Sequence, residues 1–345
     1  MALRSALSLF RYSGRMLIIA DGNNLAWAGF HALRRPMKAD TPERKERAAL
    51  VGLTQIFLGI VARAGEPPVA SGQQPFPEPF PVTRAAIVFD EGRPLRRRGL
   101  FPGYQMGREG DPNFMDNEPF VVGAIETFME AAAALPVEVL RGQNTEADDL
   151  MAALALQAGE VPVRVASTDR DFLQLVDERL SIYAPVKRLV IDAGNFEQAV
   201  APRMSDGTAV TFPRERYLDY RALSGDASDN LPGVPGVGSI GAARLLAADA
   251  LEAYFEEPGR VSAALGRRNA KLEAAFDDGS ARDIVERNRM MMDLRLAAES
   301  YPALAEYRRQ GTWDEAVFRA WFKEQRIAGV ENDAVVRAMD AIAGR

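Results

Sequence analysis

From Met16 onward, short apolar runs alternate with longer stretches whose apolar residues recur at helical spacing. MLIIA (16–20), AAIVF (85–89), VEVL (137–140), VRVAS (163–167) and LSIYAP (180–185) read as strands, with RLVI (188–191) as a partner for the last. Near-continuous apolar strands separated by helices predict a parallel sheet covered on both faces. PERKERAALVGLTQIFLGIVAR, around 43–63, has the i, i+3, i+4 pattern of one such covering helix. Beyond about 205 the strands are expected to stop, leaving a smaller helical portion. There WDEAVFRAWFKEQ (313–325) predicts an amphipathic helix whose Trp and Phe stripe suits a core better than a base-stacking platform. The expectation is an α/β core over 16–205 and a helical subdomain over 206–345.

Two segments fall outside this pattern. GEPPVASGQQPFPEPFPVT (65–83) is too rich in Pro and Gly for a regular element and reads as an inserted loop. The first 15 residues carry Arg4, Arg11 and Arg15 and no acid. They read as a disordered basic extension in preference to a transit peptide.

The polar residues that interrupt the pattern are mostly acids, and they cluster. Asp21 and Asp90 directly follow the first two strands; Glu146, Asp148 and Asp149 lie in TEADDL, Asp169 and Asp171 in STDRDF, and Asp226 and Asp229 in SGDASDN. Ligands of open parallel sheets bind outside the carboxyl ends of the strands, where the first four clusters fall. Each cluster alone has a plainer explanation. TEAD and TDRD match the capping box that opens helices, and Asp21 and Asp90 suit turns. Convergence changes the balance. Two carboxylates about 4 Å apart repel by about 4 kcal/mol at an effective dielectric near 20, so a group of seven to nine needs cations to fold comfortably. There is no Cys and one His, His31, which excludes zinc-type ligation and leaves all-oxygen sites of the kind that hold Mg²⁺ or Mn²⁺. His31 itself reads as incidental.

Composition adds bounds. The 345 residues are 47% hydrophobic and 26% charged, an ordinary soluble profile with no run long enough to span a membrane. The absence of Cys fits a reducing cytoplasm. The formal net charge is −6, but setting the nine clustered acids aside leaves fewer acids than the 42 basic residues, so bulk charge does not exclude nucleic acid.

A second motif follows the last cluster. NLPGVPGVGSIGAARLLA (230–247) places Gly233, Gly236 and Gly238 in a tight turn before a helix expected to start near Ser239. Glycine lets backbone approach a phosphate, and a helix N-terminus offers free N–H donors. This is the helix–hairpin–helix pattern over about 226–247, which grips a sugar-phosphate backbone without reading bases. A mere αα turn is the simpler alternative.

IIADGNNL, IVFD with RRRGLFPGYQMGR behind it, TEADDL, STDRDFLQL, LSGDASDNLPGVPGVG and NRMMMDLRL (288–296) occur in an order that resembles the 5′-nuclease family. That family includes flap endonucleases, phage 5′-exonucleases and the N-terminal nuclease domain of bacterial DNA polymerase I. The resemblance implies a PIN-like core, a helical arch around 93–125 and a helix–hairpin–helix subdomain on duplex DNA. It assigns Asp21, Asp90, Glu146, Asp148 and Asp169 to one Mg²⁺ and Asp149, Asp171, Asp226 and Asp229 to a second, with Asp169 bridging and Mn²⁺ as an expected substitute. It implies K⁺ on the carbonyls of the Gly233–Gly238 turn. Arg96, Arg97, Arg98 and Arg108 are expected to steer phosphates, with Arg97 and Arg108 beside Asp169 in the chemistry, and Tyr104 to stack on a base. A solvated face is the plainer reading of the Arg run.

Three departures stand out. Gln105 occupies the place of the family's phosphate-contacting Lys. Ile240 and Gly241 stand near its Lys-Thr. The arch carries Asp111, Asp116 and Glu118 and few bases. The expected activity is metal-dependent 5′-3′ exonuclease or flap-endonuclease hydrolysis of DNA, RNA–DNA hybrid included, by a cytoplasmic monomer serving a replicative polymerase. The rivals are a non-catalytic structure-selective DNA-binding protein and a PIN-type ribonuclease, which leaves the hairpin unexplained.

Overall fold

The computed structural model describes residues 16–63, 82–266, 268–328 and 333–345 and, of Arg63, Arg108 and Glu109, the backbone alone. The expected N-terminal extension (1–15) and all but the last two residues of the Pro-rich loop (65–83) lie outside the described residues.

The apolar runs become strands β1 (Met16–Asp21), β2 (Val82–Glu91), β3 (Glu138–Gln143), β4 (Val163–Ala166), β5 (Leu180–Ala184) and β6 (Leu189–Ile191). One sheet takes the order β6-β5-β4-β1-β2-β3-β9, with β9 formed by Arg308–Gln310. β1 to β5 run parallel, and β6 and β9 are antiparallel edges. Alternation along β1 shows why the runs are apolar throughout. Leu17 and Ile19 enter the core on one face, Ile18 and Ala20 the core on the other.

Helices α1 (Gly22–Leu33), α2 (Pro42–Arg63) and α6 (Glu118–Ala132) cover one face. Between β2 and α6 lie three short helices, α3 (Leu95–Leu100), α4 (Met106–Glu109) and α5 (Pro112–Met115). The other face takes α7 (Ala147–Gln157) and, after α8 (Phe196–Val200), a helical layer of α9 (Tyr217–Ser224), α10 (Ser239–Ala248), α11 (Leu251–Glu256), α12 (Arg260–Leu265), α13 (Ala270–Asp277), α14 (Ser280–Met292) and α15 (Leu294–Ala298). Between α9 and α10 a two-stranded ribbon forms from β7 (Gly225–Asp226) and β8 (Leu231–Pro232). α15 packs on α7, and Gln174, on the 3-10 turn Asp171–Leu175, ties the α14–α15 corner down by donating to Met292 O (2.8 Å) and accepting from Leu294 N (3.0 Å).

The expectation that strands end near 205 is corrected by β9. Its sequence, RRQ, is polar because it forms an exposed edge held by backbone pairing with β3 and by Arg308 on Glu138 (3.1 Å). From there the chain returns to the α/β core. α16 (Glu315–Glu324) and α17 (Asp333–Ile342) bury Trp313, Phe318, Phe322, Val335 and Met339 in the same core as α2. The aromatic stripe expected at 313–325 faces that core, and β9, α16 and α17 sit with the sheet although they follow the helical layer.

α1 and α2 cross where Gly29 meets Gly52. A Cβ at Gly29 would lie 2.5 Å from Gly52 backbone, closer than any relaxed contact. Gly29→Ala is therefore expected to cost about 1–3 kcal/mol in urea unfolding. Gly59→Ala, on α2 with open space around its Cβ, should be neutral or stabilise by about 0.5–1 kcal/mol. Equal losses at both sites would show that the helix crossing is not the constraint.

Candidate active site

The chain order changes direction between β1 and β4, which are neighbours in the sheet. Crevices at such switch points bind ligands at the strands' carboxyl ends. Asp21 ends β1, and Asp169 lies just beyond β4. A cavity of about 650 Å³ opens there, lined by Asp21, Asp90, Glu146, Asp148, Asp169 and Asp229 together with Gln105.

Capping and site-building use the same residues. Asp21 caps α1 by accepting from Asn24 N (2.9 Å), and its second oxygen accepts from Ser167 Oγ (2.8 Å). Asp90 accepts from Ala147 N (2.6 Å) at the start of α7. The hydroxyl caps suggested by TEAD and TDRD do not form: Glu146 and Arg170 occupy the N-cap positions without a side-chain cap. Asp169 instead accepts from Asp171 N (2.7 Å) and donates its own N–H to Ser167 Oγ (3.0 Å).

Crowding registers in the acidities. Burial, reinforced by the charges of Asp90 and Asp169, pushes the Asp21 carboxyl up to about 7. Burial and then Asp169, Asp21 and Asp90 push Asp148 well up. Asp171 also rises to about 7 through burial and Asp169, despite Arg221. Asp226 goes the other way: burial opposes ionisation, but Arg221 and Ser228 hold the carboxyl below its ordinary value. Oxygens of Asp171, Asp226 and Asp229 come within 4.8 Å of one another, a cation-sized group. Hard oxygen donors gathered this closely fit divalent metal ions.

Three expectations about side chains are corrected. Asp149 does not join Asp171, Asp226 and Asp229. Neighbours on α7 point about 100° apart, and Asp149 turns to Arg97 Nη2 (2.7 Å) with 3% exposure. Arg97 is not a phosphate-facing residue: it is 4% exposed, its Nη1 pairs with Glu146, and its Nε donates to Met291 O (2.9 Å). Tyr104 offers no stacking face. It packs with Leu231, Met291 and Met292, and its hydroxyl donates to Glu146 Oε1 (3.0 Å).

Of the other basic residues, Arg98 lines the cavity, Arg96 lies outside it 4.0 Å from Asp149, and the side chain of Arg108 is outside the described residues. Gln105 sits at φ 56, with its amide donating to Asp229 Oδ1 (3.2 Å) and Glu146 Oε1 (3.5 Å). His31 borders the cavity and stacks on Trp27, whose other stacking partner is Phe114 of α5. Arg221 was not anticipated. It joins Asp171 to Asp226, and nothing in LDYRALSG hints at a partner 50 residues earlier.

The hairpin separates structural from available glycines. Cβ atoms at Gly225 and Gly233 would lie 2.3 and 2.4 Å from backbone across the ribbon. Gly236 (φ 89) and Gly238 are exposed with open space around them, and Ser239 opens α10 without a side-chain cap. The turn and helix start expected at 233–239 are thus present, on the same layer as Asp226 and Asp229.

A switch-point sheet with a carboxylate-lined cleft beside a glycine hairpin between two helices has the donor chemistry of an all-oxygen metal site. The family model described as the 5′-3′ exonuclease N-terminal resolvase-like domain matches residues 16–201, and that of the 5′-3′ exonuclease C-terminal SAM fold matches 212–311. The chain belongs to the 5′-3′ exonuclease family. It is 30% identical over 281 residues to thermostable DNA polymerase I of Thermus aquaticus, covering 80% of this chain and 29% of the relative. It is 33% identical over 233 residues to DNA polymerase I of Mycobacterium tuberculosis, covering 67% of this chain and 23% of that one. It thus spans less than a third of either polymerase. Bacteriophage T5 flap endonuclease, solved as a pseudo-enzyme–product complex with DNA and metal ions, shares the fold at 15% identity and TM-score 0.59, over 94% of this chain and all of that one.

The acidities make a pH prediction for the ion-free protein. Asp21 and Asp171 titrate near 7 when folded and near 3.8 when unfolded. Between those values the folded state binds more protons, so stability falls as pH rises through about 4 to 7. In EDTA, the melting temperature should be about 2 °C or more higher at pH 5.5 than at pH 8, and millimolar Mg²⁺ should flatten the difference. A melting temperature that rises with pH in EDTA would contradict this.

Proposed function

We propose that this chain is a structure-selective 5′-nuclease that hydrolyses phosphodiesters at 5′ ends or flaps of DNA, with RNA primers on DNA as further substrates. The observation that carries the reading is the cleft of carboxylates at the β1/β4 switch point, adjoining an exposed glycine hairpin. Asp21, Asp90, Asp148 and Asp169, with Glu146, would hold one divalent ion; Asp171, Asp226 and Asp229 would hold the second. Mg²⁺ is the proposed ion, with Mn²⁺ as substitute. When bound, such ions lower the pKa of a water and neutralise charge on the phosphodiester oxygens.

The chain's own residues bind and orient. Ser167 and Asn24 fix the two oxygens of Asp21, and the amide of Ala147 fixes Asp90, so the cleft is preorganised. Gln105 aims a neutral donor at Asp229 and Glu146, so it orders acids without adding charge at its position. Arg98, on the cavity wall, supplies positive charge toward a scissile phosphate. Gly236, Gly238 and the first turn of α10 grip the backbone of adjoining duplex, with K⁺ proposed on the turn. No described helix is long and apolar enough to cross a membrane. The polymerase relatives make a replicative polymerase the proposed partner of a cytoplasmic monomer.

With labelled 5′-flap DNA and Mg²⁺, wild type should cut at least about a hundredfold faster than Asp169→Asn, and EDTA should abolish cleavage. If wild type cuts no faster than the variant yet both bind, the non-catalytic DNA-binding reading replaces this one. Arg98→Ala is expected to slow the same reaction about a hundredfold, while Arg96→Ala stays within about threefold, because Arg96 lies off the cavity. Equal effects would remove Arg98 from the proposed role.

A further inference from the structure

Two largely buried arginines stand among the acids, and only one lies within the cation-sized group. Arg221 is 8% exposed. Its Nε donates to Asp171 Oδ1 (2.9 Å), and its Nη2 pairs with Asp226 Oδ2. Asp171 and Asp226 are two of the three residues whose oxygens converge within 4.8 Å. By contrast, Asp21, Asp148 and Asp169 enter no ion pair among the described residues. Arg221 thus holds two of the three acids of one group, whereas in the other the pairing of Arg97 with Glu146 leaves Asp21, Asp148 and Asp169 facing one another.

We infer that Arg221 is a resident cation that must release Asp171 or Asp226 before a divalent ion can occupy that group. It thereby sets the weaker affinity of the second ion and makes filling sequential. The inference rests on the proposed reading that these acids hold two ions. A guanidinium has five donors and no acceptor, so it cannot join a coordination shell; it competes for the same lone pairs. An ion entering beside Asp21, Asp148 and Asp169 replaces mutual repulsion with attraction. An ion entering beside Asp171 and Asp226 exchanges one compensated charge for another and gains less. If Arg221 were only a brace between α9 and the 3-10 turn Asp171–Leu175, removing its charge would lower stability and leave ion affinity alone.

Mn²⁺ binding to the full chain without DNA, followed through the electron paramagnetic resonance of free Mn²⁺, separates these cases. Wild type should show one tight class and a second at least about tenfold weaker. Arg221→Gln keeps a planar hydrogen-bonding head without the charge. It should tighten the second class about tenfold, about 1.4 kcal/mol, and leave the first within about twofold. An unchanged second class in the folded variant overturns the inference and leaves the two-ion reading standing. A single class in both proteins overturns that reading itself. Should the variant fail to fold, wild type still decides. The Arg221 Nε–H resonance is expected to move with the second equivalent of Mg²⁺ and not the first; movement with the first, or none, overturns the inference.

Discussion

Repulsion among carboxylates gathered at the ends of β1, β2 and β4 is the constraint on which the surrounding structure depends. Parallel strands bring their carboxyl ends to one edge, so acids that end strands must meet there. The fold answers that charge in three ways. Backbone amides and a hydroxyl take up both oxygens of Asp21 and one each of Asp90 and Asp169. Protons stay on Asp21 and Asp171 to near neutrality. Arg97 and Arg221 enter the protein interior to pair with Glu146, Asp149, Asp226 and Asp171 itself. Burying guanidinium groups is costly unless they are paired, which explains why both make several bonds and why Arg97 also reaches Met291 O.

The same need shapes the contact between the sheet and the helical layer. Arg97 and Tyr104 come from the segment after β2, yet they meet Met291 and Met292 of α14 and Leu231 of β8. Charge compensation and subdomain docking are thus one arrangement. It holds Asp226 and Asp229, which belong to the helical layer, against acids that belong to the sheet.

How much of this was legible depends on range. The strands and the acids at their ends were readable, because period and position are local properties. The direction of Asp149, Arg97 and Tyr104 was not. On a helix one residue of phase separates Asp148 in the cavity from Asp149 on Arg97, and the partners that hold Arg97 and Tyr104 come from residues 231 and 291–292. Arg221 was missed because its bond to Asp171 spans 50 positions. β9 was missed because an edge strand of RRQ needs no apolar face. The hairpin was legible in outline, but only backbone geometry separates Gly225 and Gly233, which let two chains cross, from Gly236 and Gly238, which face outward.

The return of the chain through β9 to the core has a mechanical consequence. Because β9, α16 and α17 are packed with the sheet, the helical layer is an insertion within the α/β unit and not an appendage at its end. A module on one tether is anchored once, whereas this layer is anchored at both crossings and through the core it shares with the sheet. The return crossing is β9 itself, paired with β3, the strand that leads into the segment carrying Glu146 and Asp148.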